Sequence, residues 1–97
     1  KTVQVASHVQ QNTRWEAGNT YVLEGITFVE PGAKLTIDAG VTVKGKPGSA
    51  LVVTRGASIF ARGSADAPIV FTSSKAEGTR SAGDWGGVVL LGDAPLN

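Results

Sequence analysis

Residues 27–35 read TFVEPGAKL and residues 51–59 read LVVTRGASI, two stretches 24 positions apart. The shift aligns similar residues: Val29 with Val53, Gly32 with Gly56, Ala33 with Ala57 and Leu35 with Ile59. Self-similarity at this period, carried by short segments rich in β-branched residues, is typical of stacked β-coils. The chain is therefore predicted to be all-β, a β-solenoid with about three to four coils.

Short apolar segments separated by glycine or proline continue this pattern from Tyr21 onward. The predicted strands are 21–24, 27–29, 34–37, 41–44, 51–53, 58–61, 69–72 and 88–91. Alternation of apolar residues with threonine predicts that Leu35, Ile37, Val41 and Val43 point inward. The 24-residue shift then places Ile59 on Leu35 and Ala61 on Ile37, while Ile69 and Phe71 continue the layer of Val41 and Val43.

Four glycines lie where the chain leaves one predicted strand for the next: Gly32, Gly40, Gly56 and Gly63. A corner needs a positive φ or a residue without a side chain, and glycine meets either need. We interpret these glycines as geometric rather than catalytic.

Composition fits a single folded domain and excludes several classes of function. Of 97 residues, 41% are hydrophobic and only 18% are charged. The net charge of +1 gives no broad field, so it implies neither a nucleic-acid partner nor an anionic membrane. No apolar run is long enough for membrane insertion. The absence of cysteine excludes disulfides, thiolate metal sites and cysteine nucleophiles.

The chain lacks methionine even at position 1. Lys1 is therefore not expected to be a native translation start, and we favour export followed by removal of a signal peptide over a boundary set by cloning. The chain is therefore predicted to be exported.

Two parts of the chain differ in pattern. Residues 1–18 are predicted to be an N-terminal cap with Trp15 as its plug, because a solenoid end needs an atypical segment to cover it. Residues 19–97 are predicted to form the coils, with a polar corner loop at 72–84. The C-terminal end is predicted to be open, since no cap follows.

Motifs in the coils resemble a known family. Residues 30–45 (EPGAKLTIDAGVTVKG), 67–73 (APIVFTS) and 83–97 (GDWGGVVLLGDAPLN), in this order, are similar to the N-terminal coils of exported bacterial parallel β-helix proteins of the pectin-lyase-like class. The resemblance implies a right-handed parallel β-helix that is secreted or lies on a bacterial cell surface, associated with the outer membrane, as members are surface-exposed or attached to a lipid anchor. Members of that class are mostly longer and without an assigned activity, so the resemblance implies fold and location more than function.

The polar loop carries the candidate ligand-binding residues, Lys75, Arg80, Asp84 and Trp85. An acidic residue beside an aromatic ring can bind a sugar, with the ring stacked on the apolar face of the sugar. The alternative is that Trp85 packs over the corner as a lid while Asp84 caps the loop backbone. The glycines at 83, 86 and 87 favour the packing role.

Other polar residues predict no catalytic, metal or cofactor site. Asp38 and Arg62, 24 positions apart, are expected to form a surface salt bridge between coils. One acid with one arginine does not make the calcium and base cluster of a lyase. His8 is the single histidine and falls in the predicted cap, so we expect it to be solvated or capping.

These observations predict a structural or binding module of an extracellular bacterial surface protein. Its open last coil, Val88, Val89, Leu90 and Leu91, is expected to recruit a second copy and give a dimer or a filament. The predicted cap favours the dimer. A surface glycan is a further candidate partner. The alternatives are the non-catalytic N-terminal part of a carbohydrate-active β-helix enzyme, or a glycan-binding module.

Overall fold

The computed structural model describes residues 1–73 and 85–91, which form strands and corners without helices. The strands in this part of the chain are β1 (Thr2–Val5), β2 (His8–Val9), β3 (Thr13–Trp15), β4 (Thr20–Leu23), β5 (Ile26–Val29), β6 (Lys34–Ile37), β7 (Thr42–Gly45), β8 (Ala50–Val53), β9 (Ser58–Ala61), β10 (Val70–Ser73) and β11 (Val88–Leu90). The predicted strands from Tyr21 onward are thus found at nearly the predicted bounds.

The strands form three sheets, and each sheet contains every third strand of the chain. Sheet 1 is β1-β4-β7-β10, sheet 2 is β2-β5-β8-β11, and sheet 3 is β3-β6-β9. All the pairings are parallel. Parallel neighbours linked by crossover connections are right-handed in nearly all proteins. The all-β, right-handed parallel β-helix is therefore confirmed.

The register of the strands confirms the repeat. Leu35 pairs with Ile59 and Ile37 with Ala61, so β6 and β9 follow the 24-residue shift, and β5 pairs with β8 at the same shift. Phe71 pairs with Val43, as predicted for the next layer. Each inward residue consequently lies on an inward residue of the neighbouring coil.

The interior is filled by these inward rows. Residues without measurable exposure include Leu23, Val29, Leu35, Val41, Val43, Leu51 and Val53. The outward positions of the same strands carry threonine, lysine and other polar groups together with some apolar ones. Alternation of burial along each strand thus forms one continuous apolar core inside the helix.

Type II turns make four of the corners between the described strands. In each, a carbonyl accepts a hydrogen bond from the amide three residues on: Glu30 to Ala33, Asp38 to Val41, Lys46 to Ser49 and Thr54 to Ala57. The third residue of a type II turn needs a positive φ, and it is glycine in all four, with φ between 82° and 89°. Gly63 has a different reason, since a Cβ there would lie 2.8 Å from the amide nitrogen of Ile69.

The predicted cap contains strands of its own. Residues 2–15 form β1, β2 and β3, which pair with β4, β5 and β6. Trp15 is buried, and its ring stacks on Tyr21 with 4.8 Å between ring centroids. The segment is therefore built as a coil, and its role as a cap stays a prediction. The predicted corner loop at 72–84 begins in β10, and residues 74–84 lie outside the described part.

The predicted salt bridge between Asp38 and Arg62 was wrong. Asp38 accepts a hydrogen bond from Arg14 Nε at 3.0 Å, on the preceding coil. Arg62 instead places its guanidinium 5.2 Å from the centroid of the Phe60 ring. Both arginines are 24 positions from Asp38, and the ring of Phe60, two residues before Arg62, provides Arg62 with another partner.

Candidate binding surfaces

The predicted ligand-binding set falls mostly outside the described residues. Lys75, Arg80 and Asp84 lie between 74 and 84, and only Trp85 belongs to the described part. The role of this set in ligand binding stays a prediction. The surroundings of Trp85, however, are defined.

Trp85 packs against the core next to Gly45. Gly45 is an inward position of β7, in the same row as Leu23 and Ser73. A Cβ added to Gly45 would overlap the Trp85 indole at Cγ, Cδ2 and Cε3. The indole therefore occupies the space that a side chain at this inward position would need, in agreement with the packing role considered from the sequence.

The glycines that follow Trp85 bring the chain back onto the helix. The amide of Gly86 donates to the carbonyl of Ser49 at 2.6 Å, and a Cβ on Gly86 would lie 2.8 Å from that of Ala50. Gly87 has a φ of 72°, and its carbonyl accepts from the amide of Leu51. A close approach and a positive φ thus explain two neighbouring glycines.

Replacing Gly45 with valine is expected to lower the free energy of unfolding by about 1–3 kcal/mol, because the new side chain overpacks the site of the indole. The same replacement in a Trp85→Ala background is expected to cost less, since the ring is gone. Urea unfolding of the four proteins in this double-mutant cycle measures the difference. Equal costs in the two backgrounds would show that the indole does not pack on Gly45.

The last described coil exposes apolar residues that belong to interior rows. Phe71 continues the inward row of Tyr21 and Val43 but is 37% exposed. Leu90 continues the row of Val29 and Val53 and is 38% exposed. Val70, Val89 and Leu91 are also exposed. The predicted self-association edge is therefore an apolar surface in the described structure.

Polar pairs on the outside join neighbouring coils but make no catalytic arrangement within the described residues. His8 Nδ1 lies 2.5 Å from Glu30 Oε2, and the imidazole stacks on Phe28. Lys46 Nζ lies 2.8 Å from Glu24. The described residues include no group of three potential metal ligands among His, Cys, Asp and Glu. Exposed pairs of this kind usually stabilise a fold by less than about 1 kcal/mol.

A depression of about 530 Å³ lies at the N-terminal coil. Its lining includes apolar Val3 and Trp15 together with the side chains of Gln10, Gln11 and Arg14. The sequence gives no signal for this depression, because β2 and β3 are too short to show an alternating pattern. Its mixed lining holds no paired acid and base.

Residues 7–97 match the family described as the pectate-lyase-like β-helix domain. The chain belongs to this family. No curated protein and no solved structure matches the chain. Membership in the pectate-lyase-like family agrees with the parallel strands and stacked sheets, and the fold by itself does not specify an activity.

The described part of this pectate-lyase-like domain contains no helix with the length and hydrophobicity needed to cross a bilayer.

Proposed function

We propose that this pectate-lyase-like β-helix is a structural module of an extracellular bacterial surface protein, and that it self-associates through the last coil that the structure describes. The observation that carries the proposal is the exposure of Phe71 and Leu90 at the ends of interior rows. Val43 and Val53, the preceding residues in the same two rows, are fully buried, because another strand pairs with each of them on the side of the last described coil.

Rigidity supports the structural role. Three sheets enclose a core of close-packed aliphatic side chains, and type II turns fix the corners. Neighbouring coils lie about 4.8 Å apart along the axis and are joined by backbone hydrogen bonds between their strands. A module of this kind holds the corners between its strands in constant positions.

The chemistry of the last coil supports the association. An unpaired strand edge beside apolar residues recruits another strand. Completing the burial of each half-exposed side chain, such as Phe71 and Leu90, would contribute about 1 kcal/mol. A second copy of the chain brings the same surface, so two last coils meeting each other form a closed dimer, whereas contact with the first coil of the next copy forms a filament.

The test is the solution mass measured by light scattering over a series of protein concentrations. We expect a dimer or larger species for the native chain and a monomer for Leu90→Lys, because the lysine brings a charge into the contact. Ile26→Lys is the matched control: Ile26 is 48% exposed on sheet 2, away from the last coil, and its replacement should leave the mass unchanged.

A native chain that stays monomeric at every concentration would contradict the proposed association. Circular dichroism of each variant separates a lost contact from a lost fold. A drop in mass for Ile26→Lys as large as that for Leu90→Lys would place the contact elsewhere.

Family membership supports one alternative, a carbohydrate-active or glycan-binding protein with a surface glycan as its partner. Release of unsaturated sugars from acidic polysaccharides with calcium present, detected by ultraviolet absorbance, would favour an enzyme. Binding of a glycan that is abolished by Trp85→Ala, with the fold retained, would favour a binding module.

A further inference from the structure

The first coil leaves its own interior rows incomplete, as the last described coil does. Val3 and Val5 point inward on β1 and pair with Tyr21 and Leu23 of the second coil. The two residues of the second coil are buried, whereas the two valines are only half-buried. The difference follows from the sheet order, because β1 is the edge of sheet 1 and no described strand lies beyond it.

The depression at the N-terminal coil lies at this end of the rows. Its lining includes four inward residues of the first coil and one of the second: Val3, Val5, Val9, Trp15 and Tyr21. Polar residues of the same coil, such as Gln4 and Gln10, complete the lining. The volume of about 530 Å³ is therefore an opening at the end of the apolar core rather than a cleft in the side of the helix.

The rows that are open at the first coil are the same rows that are open at the last described coil. Val3 begins the row that ends at Phe71. Val9 begins the row that ends at Leu90. A second copy whose sheets 1 and 2 continue those of the first, beyond its last described coil, therefore brings Val3 onto Phe71 and Val9 onto Leu90.

The backbone edges at the two ends also match in this arrangement. The carbonyl of Val9 accepts a hydrogen bond from β5, so the amide and carbonyl of the preceding residue, His8, face away from β5. The amide of Leu91 donates to β8, so the amide and carbonyl of Leu90 face away from β8. Stacking one copy on the next thus opposes two parallel strand edges, β11 and β2, and such edges pair readily.

We propose that the first coil is the receiving surface for the last described coil of another copy, so that the chains stack head to tail. This inference rests on the proposed association and names the surface to which the last coil binds. Phe71 and Leu90 would fill the depression and cover Val3 and Val9. The contact joins two different surfaces and leaves one of each free, so it extends into a filament. Residues 1–18 would then receive a neighbour rather than cap the helix.

Two features favour this contact over a dimer of two last coils. A two-fold axis between last coils would run the edge strands of the two copies antiparallel, whereas all the pairings of the described strands are parallel. It would also set the exposed Phe71 and Leu90 of one copy against those of the other and leave the depression uncovered. Head-to-tail stacking covers the exposed side chains and the depression together.

The test is light scattering of two variants, each with one end blocked, alone and mixed. Val3→Lys places a charge in the depression, and Leu90→Lys places one on the last described coil. We expect each variant alone to keep the mass of one chain at concentrations where the native chain forms filaments. A one-to-one mixture should double that mass, because the last coil of Val3→Lys binds the first coil of Leu90→Lys and both outer ends are then blocked. Misfolded chains would not produce this gain.

Thr2→Lys is the matched control for the first coil. Thr2 precedes Val3 on β1, is exposed and lies outside the lining of the depression, so this variant should form filaments as the native chain does. Val5→Lys, at the other inward position of β1, should behave as Val3→Lys does. Dimers or filaments of Val3→Lys alone, with no gain on mixing, would overturn the head-to-tail contact but leave the association of last coils intact. A native chain that stays monomeric at every concentration would overturn both.

Discussion

Replacing Trp15 with alanine is expected to lower the free energy of unfolding by about 3–5 kcal/mol, the range for loss of a buried large aromatic side chain. Trp15 is only 4% exposed, and its ring lies nearly parallel to that of Tyr21, at an angle of 12°. Truncation removes this stacking and leaves a void in the first coil. Tyr21 also loses the ring that covers it, although its hydroxyl still accepts from the amide of Glu16.

Urea unfolding followed by circular dichroism measures this effect. Trp15→Phe should cost less than Trp15→Ala, because a smaller ring retains part of the stacking. Glu16→Ala is the control: the side chain is exposed, and the hydrogen bond to Tyr21 comes from the backbone. A Trp15→Ala chain as stable as the native one would mean that the first coil does not stabilise the rest.

Leu35→Ala is expected to cost about 2–5 kcal/mol for a different reason. Leu35 has no measurable exposure and lies in the middle of an inward row, between Thr13 and Ile59. The cavity formed there has neighbours on both sides that are fixed by strand pairing, so it closes only in part. The loss is a large share of the stability of an ordinary small domain.

Thermal unfolding measures this effect, with Thr36→Ala as the matched control. Thr36 is the next residue of the same strand but points outward, so its truncation should change stability by less than about 0.5 kcal/mol. For a domain of this size, the Leu35→Ala midpoint should fall by at least about 8 °C. Similar shifts for both variants would contradict the inward orientation of Leu35.

The repeat made most of the fold predictable. The repeat that places Leu35 on Ile59 determines which residues of neighbouring coils stack and which of them point inward. A register shifted by one residue would turn the apolar side chains of a strand outward. The strands β2 and β3 were missed. They have two and three residues, which is too few for an alternating pattern to appear. The only indication of these two strands in the sequence is their inward apolar residues, Val9 and Trp15.

The surfaces were less predictable because side chains on the outside have several possible partners. Asp38 had an arginine on the coil before it and another on the coil after it, and sequence separation alone could not choose between Arg14 and Arg62. The contact of Lys34 and Arg62 with the Phe60 ring has only a weak signal: Arg62 follows Phe60 by two residues, and the repeat places Lys34 beside Ser58.

The spacing of paired strands also determines how the molecule would respond to mechanical force. Each coil pairs only with the coils before and after it, at separations of 22 to 24 residues between β4 and β7, β5 and β8, and β6 and β9. Tension applied to the chain ends would therefore load one coil at a time. Each coil that unwinds would release about 80 Å of extended chain, as expected for a segment of that length. The helix would lengthen in regular steps as it dissipated the load.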